Sequence, residues 1–161
     1  MALAESFAKG AIAAGNTAEL ISLAGKKIEF CRGCFACQQT CRCVIRDDAD
    51  LIAQKMLEAD VLVFATPIYY YEMSGQLKTM LDRSNPLFVS DYKFRDVYFL
   101  SAAAEDEDYV SSRAEEGVKA WIECFPKAKF AGSVFAGGVT SAGEIEGHPA
   151  LEKAYKMGAG I

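Results

Sequence analysis

Thirteen consecutive residues, "CRGCFACQQTCRC" (31–43), hold five of the chain's six cysteines. Cys31, Cys34 and Cys37 are spaced C-x2-C-x2-C; Cys41 stands after three further residues and Cys43 after five. Short spacers let several thiolates of one loop converge on one inorganic core, and Gly33 frees the backbone to turn tightly. The first four cysteines match the spacing C-x2-C-x2-C-x3-C by which four thiolates hold a [4Fe–4S] cluster, except that Arg42 stands where a proline usually follows. Four cysteines also suit tetrahedral zinc, though structural zinc more often takes two C-x-x-C pairs far apart. A thiol–disulfide couple is a third chemistry open to a C-x-x-C pair. A purely apolar role fits poorly, because Arg32, Gln38, Gln39 and Arg42 interrupt the run.

A second unusual stretch is "TPIYYYEMSGQLK" (66–78). It follows the apolar run "VLVFAT" (61–66), and Pro67 is expected to end that strand, leaving three consecutive tyrosines in the next loop. Ring faces and free backbone amides there suit a flat heterocycle. A tyrosine-rich subunit interface is the competing reading.

The elements that must position these loops follow from periodicity. Helices are predicted over 1–14 (Leu3, Ala4, Phe7, Ala8 and Ala11 at helical spacing), 47–60 (capped by Asp47 or Asp48), 74–84, 106–125 and 148–161. Strands are predicted over 17–23, 61–66, 96–104 and 129–138. Helices alternating with buried-type strands define an α/β class with a parallel sheet in a single domain, 1–161. Ligands of such sheets bind on loops beyond the carboxyl ends of the strands, here 28–46, 67–74, 101–108 and 137–147.

Composition narrows the function further. Apolar residues make up 52% and charged residues 24%, a globular mixture. A net charge of −5 leaves no electrostatic footprint for nucleic acid or an anionic membrane surface. The longest apolar runs fall short of the roughly 20 residues that span a bilayer, and the first ten residues lack the pattern of a secretion signal. A cytoplasmic setting, with reduced thiols, is expected. The one histidine, His148, precedes Pro149 and reads as a solvated loop residue, so no Ser/His/Asp set is available. Cys124 reads as a core residue of its helix.

The segment "CRGCFACQQTCRCVIRDDADLIAQKMLEADVLVFATPIYYYEMSGQLKTMLDR" (31–83) resembles the flavodoxin-like NAD(P)H-dependent FMN reductase superfamily, in particular its iron–sulfur flavoprotein branch. The shared pattern is the cysteine run, a further cysteine, the Asp pair, a helix, a strand ending in T-P-x-Y, then S-G-Q-L-K and D-R. Looser similarity covers 1–30 and 96–161. The resemblance implies a doubly wound sheet of order 2-1-3-4-5 with FMN at its carboxyl edge. It places Thr66, Pro67, Ile68, Tyr69 and Tyr70 on one border of the flavin and Ser101, Ala102 and Ala103 on the other. It puts Cys31, Cys34, Cys37 and Cys43 at the cluster-ligand positions, with Cys41 standing where relatives often have glycine. It further implies electron transfer from NAD(P)H or ferredoxin to a small-molecule or protein acceptor, and a homodimer or homotetramer. A non-catalytic electron-carrier or zinc-binding subunit, or a relative unable to hold FMN tightly, is the alternative. Against that pattern this chain starts inside the first helix, so the family's first strand and phosphate loop S-x-R-x-x-x-N-[ST] have no counterpart here. "AAGNTAEL" (13–20) reads as a helix–turn–strand junction and not as a substitute for that loop.

Overall fold

A computed structural model describes all 161 residues. Helix α1 (Ala2–Ala13) is followed by an extended stretch, the cysteine loop with its one-turn helix α2 (Cys37–Thr40), and α3 (Asp48–Glu58). Strand β1 (Val61–Tyr69), the two-residue β2 (Glu72–Met73) and α4 (Gly75–Arg83) come next. They are followed by β3 (Asp96–Ala102), α5 (Ser112–Glu123), β4 (Lys129–Ala136) and α6 (Pro149–Gly158).

The sheet has the order β2-β1-β3-β4, with β1, β3 and β4 parallel and β2 folded back antiparallel on the end of β1. Side chains alternate across it as a pleated strand requires. Val97 and Phe99 of β3 enter the core under α3, α4 and α5, while Leu100 enters the smaller core under α1 and α6. Both faces are therefore covered, as a parallel sheet demands.

Each helix buries the face its spacing dictates. Ala49, Ile52, Ala53 and Met56 of α3 are buried, and the helix begins where the Asp47 side chain accepts from the Ala49 N–H (3.1 Å). α1 and α6 approach unusually closely. A Cβ on Gly10 would lie 2.0 Å from the Tyr155 carbonyl oxygen, and one on Gly158 would lie 2.0 Å from that of Phe7. These two glycines admit the partner backbone, each where a side chain cannot fit.

The structure corrects several expectations. Residues 17–23 form no strand: the stretch is irregular, with its Ile21 and Leu23, and Ile28 beyond it, resting against the larger core. A strand requires a neighbouring ladder, and none borders it. Glu19 of this stretch pairs with Lys55 (2.6 Å), and the segment after it is held through side chains, with Asp48 accepting from the Lys27 N–H (2.7 Å) and Asp47 from the Glu29 N–H (2.8 Å). Pro67 does not end β1, which continues to Tyr69. Proline costs a strand only its N–H, and Pro67 keeps its register with Ala102 of β3. The helix expected over 106–125 is shorter, opening with a 3-10 turn at Asp108–Ser111. Cys124, at the helix's end, is exposed. His148 is a cap: its Nδ1 accepts from the Ala150 N–H at 3.1 Å. No helix is long and apolar enough to cross a membrane.

Candidate functional site

The cysteine loop is wound by three residues in the left-handed region within nine positions: Gly33 (φ 63°), Phe35 (φ 54°) and Cys41 (φ 53°). A Cβ at Gly33 would meet nothing within 4 Å, so glycine is needed there for conformation and not for room. Non-glycine residues in this region cost of order 1–3 kcal/mol each and persist where their surroundings hold them. Two ion-pair clamps do so. Asp50, with its side chain 4% exposed, accepts from Arg42 (2.9–3.1 Å) and Arg46 (3.1–3.3 Å). Burial alone would raise its pKa, yet the hydrogen bonds and charges of the two arginines outweigh this and hold it below the usual carboxylate range. Asp47 behaves alike: desolvation opposes, but hydrogen bonds from Arg83 and the Glu29 N–H and the Arg83 charge prevail.

Arg83 is the centre of the second clamp and one of the most buried side chains of the molecule. An arginine has five N–H donors. The Nη1 pair donates to the Glu29 carbonyl and Asp47 Oδ2, both at 2.7 Å. The Nη2 pair donates to the Ile45 carbonyl (3.1 Å) and Asp47 Oδ1 (2.8 Å). The fifth donor, Nε–H, is buried with no oxygen partner, and Cys43 is the remaining side chain that interacts with the guanidinium. An unsatisfied buried donor costs about 1–3 kcal/mol, more when charged, so this one marks a place where an acceptor belongs.

Arg83 also lines a cavity together with Cys31, Cys34, Cys37, Cys43 and Asn85, among others. The four thiols are those at the positions the family resemblance marks. Cys41 is not among them: it closes α2, and its Sγ lies 4.0 Å from the Val89 carbonyl oxygen. Asn85 Nδ2 donates to Cys37 Sγ at 3.2 Å. All six cysteines are free thiols. No three Cys, His, Asp or Glu side chains converge closely enough to hold a metal ion as the loop stands. A single zinc ion, at ~2.3 Å from each sulfur, needs that convergence. Thiolates that each bind a different iron of a cluster stand farther apart around it. Soft sulfur donors around one pocket fit a polynuclear sulfur cluster better than one ion.

The second group of expected site residues gathers at the carboxyl edge of the sheet. Thr66 pairs with Ser101 and Pro67 with Ala102, so the two borders lie side by side. Thr66, Ile68, Ser101 and Ala103 are buried, whereas Pro67, Tyr69, Tyr70 and Ala102 retain access to solvent. The Thr66 hydroxyl accepts from the Ser74 N–H (3.0 Å), and the Ser74 side chain accepts from the Leu77 N–H (3.4 Å), which ties the strand end to the start of α4. Tyr70 (φ 52°) and Tyr71 (φ 66°) form the β1–β2 turn, both in the left-handed region. Tyr70 is 98% exposed. Tyr71 is engaged, its hydroxyl donating to Glu105 (3.0 Å), its ring 6.2 Å from that of Tyr109. Beyond β3, Ala103 donates to the Ala136 carbonyl (3.0 Å) and Gly138 to that of Glu105 (3.3 Å). A Cβ at Gly137 would lie 2.5 Å from Asp106, so the edge loops are packed on one another.

Sequence reading missed Arg83 and Asn85 as members of a site. The D-R pair at 82–83 and the Asp pair at 47–48 were visible, but nothing local shows that they meet across 36 residues.

A parallel sheet with helices on both faces and its ligand loops at the carboxyl edge defines a flavodoxin-like α/β protein. Residues 1–136 match the family model of the NADPH-dependent FMN reductases, and the chain belongs to that family. It is 46% identical to an iron–sulfur flavoprotein of Methanocaldococcus jannaschii over 73 residues, which are 45% of this chain and 38% of that protein. An iron–sulfur flavoprotein of Archaeoglobus fulgidus is 38% identical over 72 residues, 45% of this chain and 33% of its own. The chain thus spans well under half the length of the curated relatives it matches. An NAD(P)H:quinone oxidoreductase from Methanothermobacter marburgensis shares the fold, with a TM-score of 0.74 at 17% identity over 98% of this chain and 86% of that one.

Proposed function

We propose that this chain is an FMN-dependent oxidoreductase that passes electrons from NAD(P)H, or from a ferredoxin-like donor, to an acceptor, with a [4Fe–4S] cluster on the 31–43 loop. The observation that carries this reading is the cavity lined by Cys31, Cys34, Cys37 and Cys43, with Arg83 and Asn85 among its other lining residues. FMN supplies two-electron hydride chemistry and one-electron exchange, and the cluster supplies one-electron transfer.

The protein's own contribution is placement. Pro67, Tyr69, Tyr70 and Ala102 offer the accessible surface beside the flavin ring; the buried Thr66, Ile68, Ser101 and Ala103 shape the backbone behind it. Asp47 and Asp50 fix the far end of the cysteine loop, so that its thiols face one cavity. The carboxyl-edge residue Thr66 is tied to the start of α4 and the cysteine cavity borders its last residue, Arg83, so the two groups would be held at opposite ends of a helix whose nine residues span about 14 Å. We extend the reading to a homodimer or homotetramer, in which the exposed Phe30, Tyr69, Tyr70 and Phe88 would be covered.

Anaerobic purification with a visible spectrum and iron and sulfide analysis tests this reading. Flavin bands with about four irons and four sulfides per chain, and NADPH oxidation with a quinone acceptor, are expected. Flavin without iron would remove the cluster and leave the oxidoreductase. A protein that takes up neither FMN nor iron on reconstitution would overturn both.

A further inference from the structure

Two side chains outside the cysteine loop bring N–H groups to its sulfur-lined cavity. Asn85 stands in the 3-10 turn after α4 and donates from Nδ2 to Cys37 Sγ at 3.2 Å. Arg83, two residues earlier, lines the same cavity as Cys43, and its Nε–H has no oxygen partner, while the other four donors have found theirs. Arg83 ends α4 and Asn85 opens the turn that follows it, so one junction brings two donors to one sulfur-lined pocket, and neither is a ligand.

We propose that Asn85 and Arg83 are positioning residues for the cluster read above, donating to its sulfur ligands and thereby raising its reduction potential. This inference rests on the cluster reading. Reducing an iron–sulfur cluster adds one electron whose charge spreads over the sulfurs, and hydrogen bonds to those sulfurs favour the more negative state. Asn85 contributes a neutral donor at Cys37. Arg83 contributes a fixed positive charge as well as a donor, and its Asp47 partner holds it rigid without consuming the Nε–H.

The test is a mediated redox titration followed by electron paramagnetic resonance on anaerobically purified wild type, Asn85→Ala, Asn85→Ser and Arg83→Lys, each with iron and sulfide counts and a melting temperature. Asn85→Ala removes the donor from a half-buried site and is expected to keep its iron and its melting temperature. Its cluster potential should fall by about a ten-fold change in the reduced-to-oxidised ratio, or ~59 mV for one electron. Asn85→Ser, which keeps a donor, should recover part of that shift, and the flavin potential should not move in either variant. Arg83→Lys keeps the charge but loses the fork, and should lower the potential too wherever it folds. An unchanged cluster potential in Asn85→Ala at full iron content would overturn the inference while leaving the cluster reading intact. Wild-type protein that binds no iron after reconstitution would overturn the cluster reading and the inference together.

Discussion

Asp47 shows how much one residue does in this molecule. It caps α3, accepts from the Glu29 N–H and receives both ends of the Arg83 guanidinium, with its side chain 10% exposed. Removing one partner of a buried ion pair leaves an uncompensated charge. Asp47→Asn should therefore cost about 3 kcal/mol, which at about 2–4 °C per kcal/mol lowers the melting temperature by about 6–12 °C. Calorimetry of the variant beside wild type checks this. Asp47 and Asp50 also set the acid response. Both carboxyls titrate lower in the folded chain than the unfolded value of about 3.9, because their arginine partners outweigh burial. Depressed folded values mean that the unfolded chain binds more protons near pH 4. The stability they contribute is thus complete above the unfolded value and is lost as pH falls through the folded ones. Melting temperature followed from pH 7 to pH 3 should drop steeply below about pH 4 in wild type. The drop should be shallower in Asp47→Asn and Asp50→Asn, by at most about 1.4 kcal/mol per pH unit for each carboxylate. The capping role of Asp47 was legible in the Asp pair ahead of an apolar-periodic run. Its role toward Arg83 was not, because a contact between positions 47 and 83 is made by the fold.

Elements meet here through residues whose meaning depends on the partner. Gly10 lies inside α1 and Gly158 is the last residue of α6. In an isolated helix, Gly→Ala would stabilise by about 1 kcal/mol. At these positions the new methyl would sit 2.0 Å from a backbone carbonyl oxygen of the facing helix, an atom that can move only if the helix moves. The sign reverses: Gly10→Ala and Gly158→Ala should each destabilise by about 1–3 kcal/mol, whereas Gly33→Ala should act only through its positive φ. Thermal denaturation of the three variants separates the two causes. The β1–β2 turn is the opposite case. Tyr70 is held at φ 52° with its side chain in solvent, so it stores strain without any packing in return. Tyr70→Gly should raise the melting temperature, with about 1–2 kcal/mol recovered from the left-handed backbone, and should weaken FMN binding in a flavin-fluorescence titration if the ring borders the flavin as proposed. The tyrosine-rich loop was legible in "TPIYYYEM". The continuation of β1 through Pro67 was not, since a proline reads as a stop and its register with Ala102 is set by the fold.

At the scale of the whole molecule the sheet has an unfinished side. β1 pairs with β3 along Val61–Pro67, but on its other side only Ile68 and Tyr69 have a ladder partner, in β2. The alternation of helices and strands made the α/β class and most of the parallel order readable from periodicity. The one strand that failed to form, 17–23, is the one whose pairing cannot be supplied by its own sequence, because a ladder needs a neighbour. Unpaired strand edges are templates for pairing with another chain unless charge, proline or a bulge blocks them. Between Val61 and Thr66 there is none of these, and Ala65 is exposed on the strand. The 161-residue chain, prepared as it stands here, is therefore expected to associate, and light scattering should give a mass above the 17.5 kDa of one copy. Hydrogen exchange tells whether β1 is the contact. In a parallel strand successive amides point to opposite neighbours, so pairing with β3 alone protects alternate positions. At low concentration alternate amides of Val61–Thr66 should exchange fast while their neighbours stay protected. At high concentration the fast set should slow together with the rise in mass. A fast set that stays fast while the mass rises would place the association on another surface, such as the exposed aromatic residues, and leave this edge open.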